Sequence, residues 1–394
     1  MTGRLVAWIA VSGAVLSACG GDDKGAASGS AGAAGNSSVG GSSGSVGADG
    51  GGGSSGSTNT GGGAGSTGSG GSVGPTGTAD FEARCAAAGV VRCVGFDAPS
   101  DLAGGFGDNH GTDSGNAAPE LDLTQKASGQ SSIRFTIPSN SSANSSGSYF
   151  TNFSDDLTLQ FDENSTFYVQ WRQRFSAEFI TTHYQGGGGW KHVIIGVGDR
   201  PGCSASAAIN IDNGGNCASS CTELETVVQN TSQRGFAQMY NSCTGSASHG
   251  AYDAFEEAFG SYDFKLQNAR PAPYCLYSQG QNDSYFPPQG NCAGYFPDEW
   301  MTFQVQIETG PRQGDEFKNS HVRLWIAREG QKSELALDWG PYNLTAGAPS
   351  KNLRFGKVWL LPYHTGKDSA QSHATAYAWY DELIVSTNPI ADPA

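Results

Sequence analysis

Apolar and polar residues alternate with a period of two in seven segments: 132–137, 166–175, 192–197, 300–308, 321–327, 353–361 and 377–386. That alternation suits strands with one buried and one outward face, and Gly, Asn, Ser and Thr turns separate them. The pattern predicts an all-β sandwich, or jelly roll, of two antiparallel sheets. Helical periodicity is scarce. One short helix is expected at 252–259, where Phe255 and Phe259 share a face, and a Pro- and Tyr-rich loop follows over 270–297.

The strands must come from residues 81–394, which hold every aromatic residue except Trp8 and are expected to form one domain. Residues 20–80 carry no aromatic residue, a single Lys24 and long Gly-Ser-Ala runs. Such a segment buries too little apolar surface to offset its chain entropy, so it is expected to be a disordered tether. Its root-mean-square reach is roughly 40–45 Å. The net charge of −15 argues against nucleic acid as a partner, and a monomer is expected. Within residues 81–394, Gly-x-Ser-x-Gly, phosphate-loop and dinucleotide fingerprints are absent, which speaks against serine-hydrolase and nucleotide chemistry.

At the amino terminus, Arg4 precedes an apolar run over residues 5–16, and Leu16-Ser17-Ala18-Cys19 closes it. The run is too short to span a bilayer. This arrangement resembles a bacterial lipoprotein signal, which implies that residues 1–19 are a signal segment and that Cys19 is lipidated. Gly20 after the cysteine favours the outer membrane or cell surface under the usual sorting rule, with Asp22 and Asp23 slightly further on. Of the nine cysteines, eight remain for an exported, oxidising compartment: Cys85, Cys93, Cys203, Cys217, Cys221, Cys243, Cys275 and Cys292. They read as disulfides, with Cys85–Cys93 and Cys275–Cys292 as local pairs and the central four pairing among themselves. Zinc through Cys217 and Cys221 is the rival, disfavoured because no His follows at finger spacing.

Two strands show which side chains share a face. In 166–175, Tyr168, Gln170, Arg172 and Arg174 oppose Phe167, Val169, Trp171 and Phe175. In 300–308, Gln304 and Gln306 oppose Phe303, Val305 and Ile307. The polar side is expected to be a hollow in which Gln170, Arg172, Arg174, Gln304 and Gln306 hold sugar. A solvated sheet surface is the plainer reading of any one such strand.

Three segments together resemble the concanavalin A-like jelly roll shared by legume lectins, laminarinases and several polysaccharide lyases. They are Val94-Gly-Phe-Asp97 with Ser132-Ile-Arg-Phe135; 167–175 leading to Gly189-Trp-Lys-His192; and Lys357-Val-Trp-Leu-Leu-Pro-Tyr-His364 closing with 379–386. The laminarinase carboxylate motif is missing; Glu120-Leu-Asp122 lacks its final Glu. Similarity to alginate and glucuronan lyases implies β-elimination on an acidic glycan. In those enzymes a cation or amide drains charge from a uronate carboxylate, a base takes the neighbouring proton, and a Tyr protonates the leaving oxygen. The resemblance points to His192 and Tyr363 as catalytic, with Arg172, Arg174 and Lys367 in the family's order; Tyr240 is a further acid candidate, and His364 is expected to bind substrate beside Lys367. Lys191-His192 stands where alginate lyases carry Gln-Ile-His. No cofactor is required by that chemistry. Asp97 and Asp381, brought together from terminal strands, are candidate ligands for a structural Ca²⁺. The competing reading is a non-catalytic carbohydrate-binding or adhesion module on the same fold.

Overall fold

The structure, a computed structural model, describes residues 76–113, 117–143, 145–185, 189–204, 211, 215–230, 235–243, 293–365 and 367–394. The expected signal segment, the tether up to residue 75, the expected helix at 252–259, most of the 270–297 loop and the Cys275–Cys292 pair lie outside them.

Numbered along the chain, the strands form two antiparallel sheets. The 9-stranded sheet runs β11 (Arg312–Gln313), β12 (Glu316–Ala327), β10 (Met301–Glu308), β6 (Thr166–Phe175), β16 (Ala376–Ser386), β4 (Ser132–Ile137) and β3 (Glu120–Asp122). To it β16 adds β1 (Val90–Val94) and β12 adds β13 (Glu334–Thr345). The 7-stranded sheet runs β2 (His110–Asp113), β5 (Ser148–Asn152), β14 (Phe355–Leu360), β7 (Gly189–Val197), β8 (Glu225–Asn230) and β9 (Gln238–Asn241), with β15 (His364–Thr365) on β7. Each segment of clear alternation lies in or closely overlaps one of the longer strands β4, β6, β7, β10, β12, β14 and β16. The all-β sandwich expectation holds.

The inward sides meet in one core. Trp171 stacks on Phe303 at 5.4 Å and Phe161 on Phe167 at 4.5 Å. Val193 and Ile195 of β7 and Val358 and Leu360 of β14 are fully buried in the same cluster. Each such side chain contributes about 1.5–3 kcal/mol relative to exposure.

Three short helices sit at the edges: α1 (Thr76–Cys85), α2 (Pro99–Leu102) and α3 (Ala177–Thr181). The α1 helix corrects the tether boundary, because residues 76–80 already form its first turn. An Asp80–Arg84 pair four residues apart supports it, and Phe81 packs with Ile384 and Ile390. Cys85–Cys93 ties its end to β1. After it, Gly89 at φ +92° lets the chain pass beside Thr387 and Asn388, where a Cβ would collide. The α3 helix is capped by Ser176, whose Oγ accepts from the Phe179 N–H at 3.2 Å.

The central cysteines pair as Cys203–Cys217 and Cys221–Cys243, so neither Cys217 nor Cys221 is a zinc thiolate. Three disulfides fit an oxidising, exported environment. Among the described residues no helix is long and apolar enough to cross a membrane.

Candidate functional site

The polar side of β6 and β10 is not a hollow. The α1 helix and residues 388–391 lie across it. Gln170 is fully buried: its Oε1 accepts from Arg84 Nη1 at 2.9 Å and its Nε2 donates to the Ala391 carbonyl at 3.1 Å. Gln304, its register partner, accepts from the Ile390 N–H at 2.9 Å. Arg172 lies between Glu329 at 3.7 Å and Glu382 at 3.8 Å. Arg174 pairs with Asp298 and stands 6.0 Å from the Trp379 ring centre. Gln306 accepts from Arg323 Nη1 at 3.2 Å. The expected groove on this sheet is therefore corrected. Alternation identified the face correctly, but nothing in one strand reveals that the two ends of the folded chain will cover it.

His192 also departs from expectation. It points between the sheets, fully buried, with Nδ1 3.0 Å from Gln173 Oε1 and its ring 4.9 Å from Tyr295 and 5.6 Å from Phe303. Burial pushes its pKa down to about 3, so it is a neutral core residue at ordinary pH. His364 packs against Tyr184 at 4.2 Å and Phe179 at 5.1 Å, and burial with nearby Lys367 likewise pushes it down to about 3. Lys367 donates to the Ser141 carbonyl at 2.6 Å, tying two loops together.

The carboxylates considered for Ca²⁺ are occupied by main chain. Asp97 accepts from the Gln130 and Ser131 N–H groups, and Asp381 from those of Ala127 at 2.8 Å and Ser128 at 3.3 Å. Gly129, at φ +61°, lets this loop come so close that a Cβ would strike the Asp97 carboxylate. Asp381 is buried beside Glu382, and both burial and that neighbour raise its pKa well above the usual range. Among the described residues no group of three His, Cys, Asp or Glu side chains could hold a metal.

A different set of groups comes together on the outward side of the 7-stranded sheet. Residue 191 alternates with Trp190 and His192, so Lys191 leaves the opposite side of β7. Its ammonium stands 5.6 Å from the Tyr240 ring centre and 5.5 Å from that of Tyr363. Its backbone N–H donates to the Tyr363 carbonyl at 2.9 Å, which brings the segment before β15 alongside. Tyr240 faces Val227 across β8 and β9. Its hydroxyl lies 3.4 Å from Glu225 Oε1, while Glu225 Oε2 accepts from the Thr222 N–H at 3.1 Å. Lys191 pairs with Gln229 across β7 and β8, and Gln229 with Gln238 across β8 and β9. A base, a phenol, a carboxylate and two amides thus share one side of three adjacent strands, with the second phenol, Tyr363, on the segment before β15.

The electrostatics set this lysine apart. Burial pushes the Lys191 pKa down from the usual lysine range, and Glu225 partly counters it. Among the described residues no carboxylate lies within ion-pair distance of its ammonium. Tyr363 is half-buried and its pKa is raised by that burial. On the same sheet Lys357 is also buried, but it is held by both oxygens of Asp199 at 2.8 and 2.9 Å and ringed by Phe150 and Trp359. That pair is structural. An amine shifted toward its neutral form beside two hydroxyl-bearing rings can accept and return protons.

Of the residues singled out from sequence, Tyr240 and Tyr363 belong to this cluster, while His192, His364, Lys367, Arg172 and Arg174 do not. Lys191 and Glu225 were missed. The signal for Lys191 was present: with Trp190 and His192 inward, strict alternation sends the residue between them outward.

No protein-family model matches the chain, and no curated protein matches it. Solved structures similar to it include a marine PL-14 alginate lyase from Aplysia kurodai, at 10% identity and TM-score 0.39, covering 68% of this chain and 87% of that one. The alginate lyase Aly36B follows at 12% and 0.35, covering 67% and 83%. An alginate lyase, vAL-1, from Chlorella virus stands at 10% and 0.35, covering 71% and 93%. At such identities and TM-scores the likeness says nothing of activity. The chain is itself a two-sheet antiparallel jelly roll.

Proposed function

We propose that this is an exported protein that cleaves a uronate-containing polysaccharide by β-elimination on the outward side of the 7-stranded sheet. The observation that carries the reading is Lys191, buried between Tyr240 and Tyr363 with its charged form disfavoured. In the reaction, neutral Lys191 takes the proton beside the uronate carboxylate. The electron pair left behind forms the ring double bond, and the bond to the 4-linked oxygen breaks. A tyrosine hydroxyl, Tyr240 or Tyr363, protonates that departing oxygen. Proton return from the lysine to the phenolate restores both groups. Gln229 and Gln238, which follow Lys191 in register across β7, β8 and β9, drain charge from the carboxylate in this reading. We also propose that Cys19 carries a lipid anchor at the outer membrane, a reading supported by the amino-terminal sequence, and that the chain acts as a monomer.

The net charge of −15 favours a second reading, a non-catalytic glycan-binding module, because a polyanion is repelled unless the binding face is locally basic. One experiment separates the two. The full chain is incubated with a panel of uronate polymers and followed by the ultraviolet absorbance of an unsaturated product, beside a glycan-array measurement. Product formed by the wild type and lost in Lys191→Met supports the lyase. Retention on the array with no product from any polymer overturns it and leaves the binder.

A further inference from the structure

The carboxylate of Glu225 is fully buried at a corner that the fold takes unusual care to fix. Cys221–Cys243 joins the turn before β8 to the end of β9. Two main-chain bonds reinforce the junction: Cys243 N–H to the Thr222 carbonyl at 3.0 Å and Ser242 N–H to the Glu225 carbonyl at 3.0 Å. Within it the two oxygens of Glu225 face different elements. Oε2 accepts from the Thr222 N–H at 3.1 Å in the turn, and Oε1 faces the Tyr240 hydroxyl at 3.4 Å on β9. Tyr240 in turn presents its ring to the Lys191 ammonium. The series Glu225, Tyr240, Lys191, Tyr363 therefore crosses β8, β9, β7 and the segment before β15 without leaving one side of the sheet.

We infer that Glu225 is a positioning residue of this site, holding the Tyr240 hydroxyl so that its ring stays against the Lys191 ammonium. The inference rests on the reading of Lys191 as base, but it concerns a residue that touches no reacting atom. A carboxylate here has two separable effects. Its oxygen is an acceptor for the phenol, which Gln also supplies. Its negative charge opposes the desolvation of Lys191, which Gln does not. Among the described residues the titratable groups facing Lys191 are Glu225 on β8, Tyr240 on β9 and Tyr363 before β15.

The test compares Glu225→Gln and Glu225→Ala in the full chain. With a uronate polymer that the wild type cleaves, Glu225→Ala should lower kcat on the order of 100-fold with little change in KM, as expected when a reacting group loses its orientation. Glu225→Gln should recover to within about tenfold of wild type. In both, the rising limb of the kcat/KM profile should move to lower pH, because the neutral amine is no longer opposed by a nearby anion. Equal losses in the two variants, or a loss confined to KM, overturn the positioning role. A second arm needs no activity. In protein carrying isotope-labelled lysine, assigned with Lys191→Arg, the Lys191 resonance is titrated by NMR in wild type and Glu225→Gln. A lower midpoint in the variant shows the Glu225 charge reaching Lys191 through the series that the positioning role requires, and an unchanged one breaks that series and overturns the inference even if no polymer is cleaved. A wild type inactive on every polymer, with the midpoint displaced as expected, overturns the lyase reading instead.

Discussion

Lys191 and His192 are adjacent in sequence and lie on opposite sides of β7, one beside Tyr240 and Tyr363, the other against Gln173 between the sheets. The division makes opposite expectations for two neighbouring substitutions. Lys191→Met should abolish elimination, by on the order of 10²–10⁴-fold, with the circular-dichroism spectrum and melting temperature close to wild type. His192→Gln should lower the melting temperature and leave the pH dependence of turnover unchanged. A titrating limb that disappears with His192 would refute this assignment of sides.

The two tyrosines are separable as well. Tyr363 is half-buried while Tyr240 is almost fully covered, so substrate reaches the former more readily. Tyr363→Phe should depress kcat by about 100-fold or more if its hydroxyl protonates the leaving oxygen, with Tyr240→Phe milder. Steady-state kinetics on one cleaved polymer decides which phenol is the acid.

Acid stability follows from the buried histidines. His192 and His364 are both held at about 3 in the fold, whereas an unfolded histidine binds its proton near 6.5. Below about 6.5 the unfolded chain takes up protons that the fold refuses, so this stability is complete above that pH and is lost as pH falls toward 3. Each histidine contributes about 1.4 kcal/mol per pH unit within that window. Asp381 acts with the opposite sign, keeping a proton that the unfolded chain releases above about 4. Two histidines against one carboxylate leave a net loss on acidification. Urea unfolding at pH 7 and pH 5 measures it, and the His192→Gln/His364→Gln variant should show a flatter dependence.

Arg84 binds Glu382 and Gln170 under α1, with both charged partners almost without solvent. Among the described residues Arg84→Ala leaves Glu382 only the more distant Arg172 as a cation and should cost about 3–5 kcal/mol. Hydrogen exchange should show α1 losing protection before the sheets do. The buried Asp199–Lys357 pair should behave alike: Asp199→Ala costs about as much, because it strands a buried ammonium.

The architecture was legible because it is written in a local pattern. Residues 132–137 and 166–175 alternate cleanly, and the strands β4 and β6 end where the alternation does. Two-residue β11 is too short to display any period, and Gly340-Pro341 interrupts the alternation of β13. The candidate site was less legible, since what closes the face bearing Gln170 comes from Arg84, Ile390 and Ala391, more than eighty residues away in sequence. Alternation gives the side of a strand but not what lies on top of it. The irregularity of β7 between Lys191 and Val193 further blurs which residues there point inward.

The meeting of α1 with the last residues carries a practical corollary. Asn388 Nδ2 reaches the Ala88 carbonyl at 2.9 Å, and the Thr387 N–H reaches that of Gly89 at 2.8 Å, so the start and finish of the folded body are neighbours. A circularly permuted gene could splice them through a short linker and open the chain at a surface turn such as the one around Gly330. New ends would then emerge at that turn, and the former ones would be closed into one continuous stretch of chain.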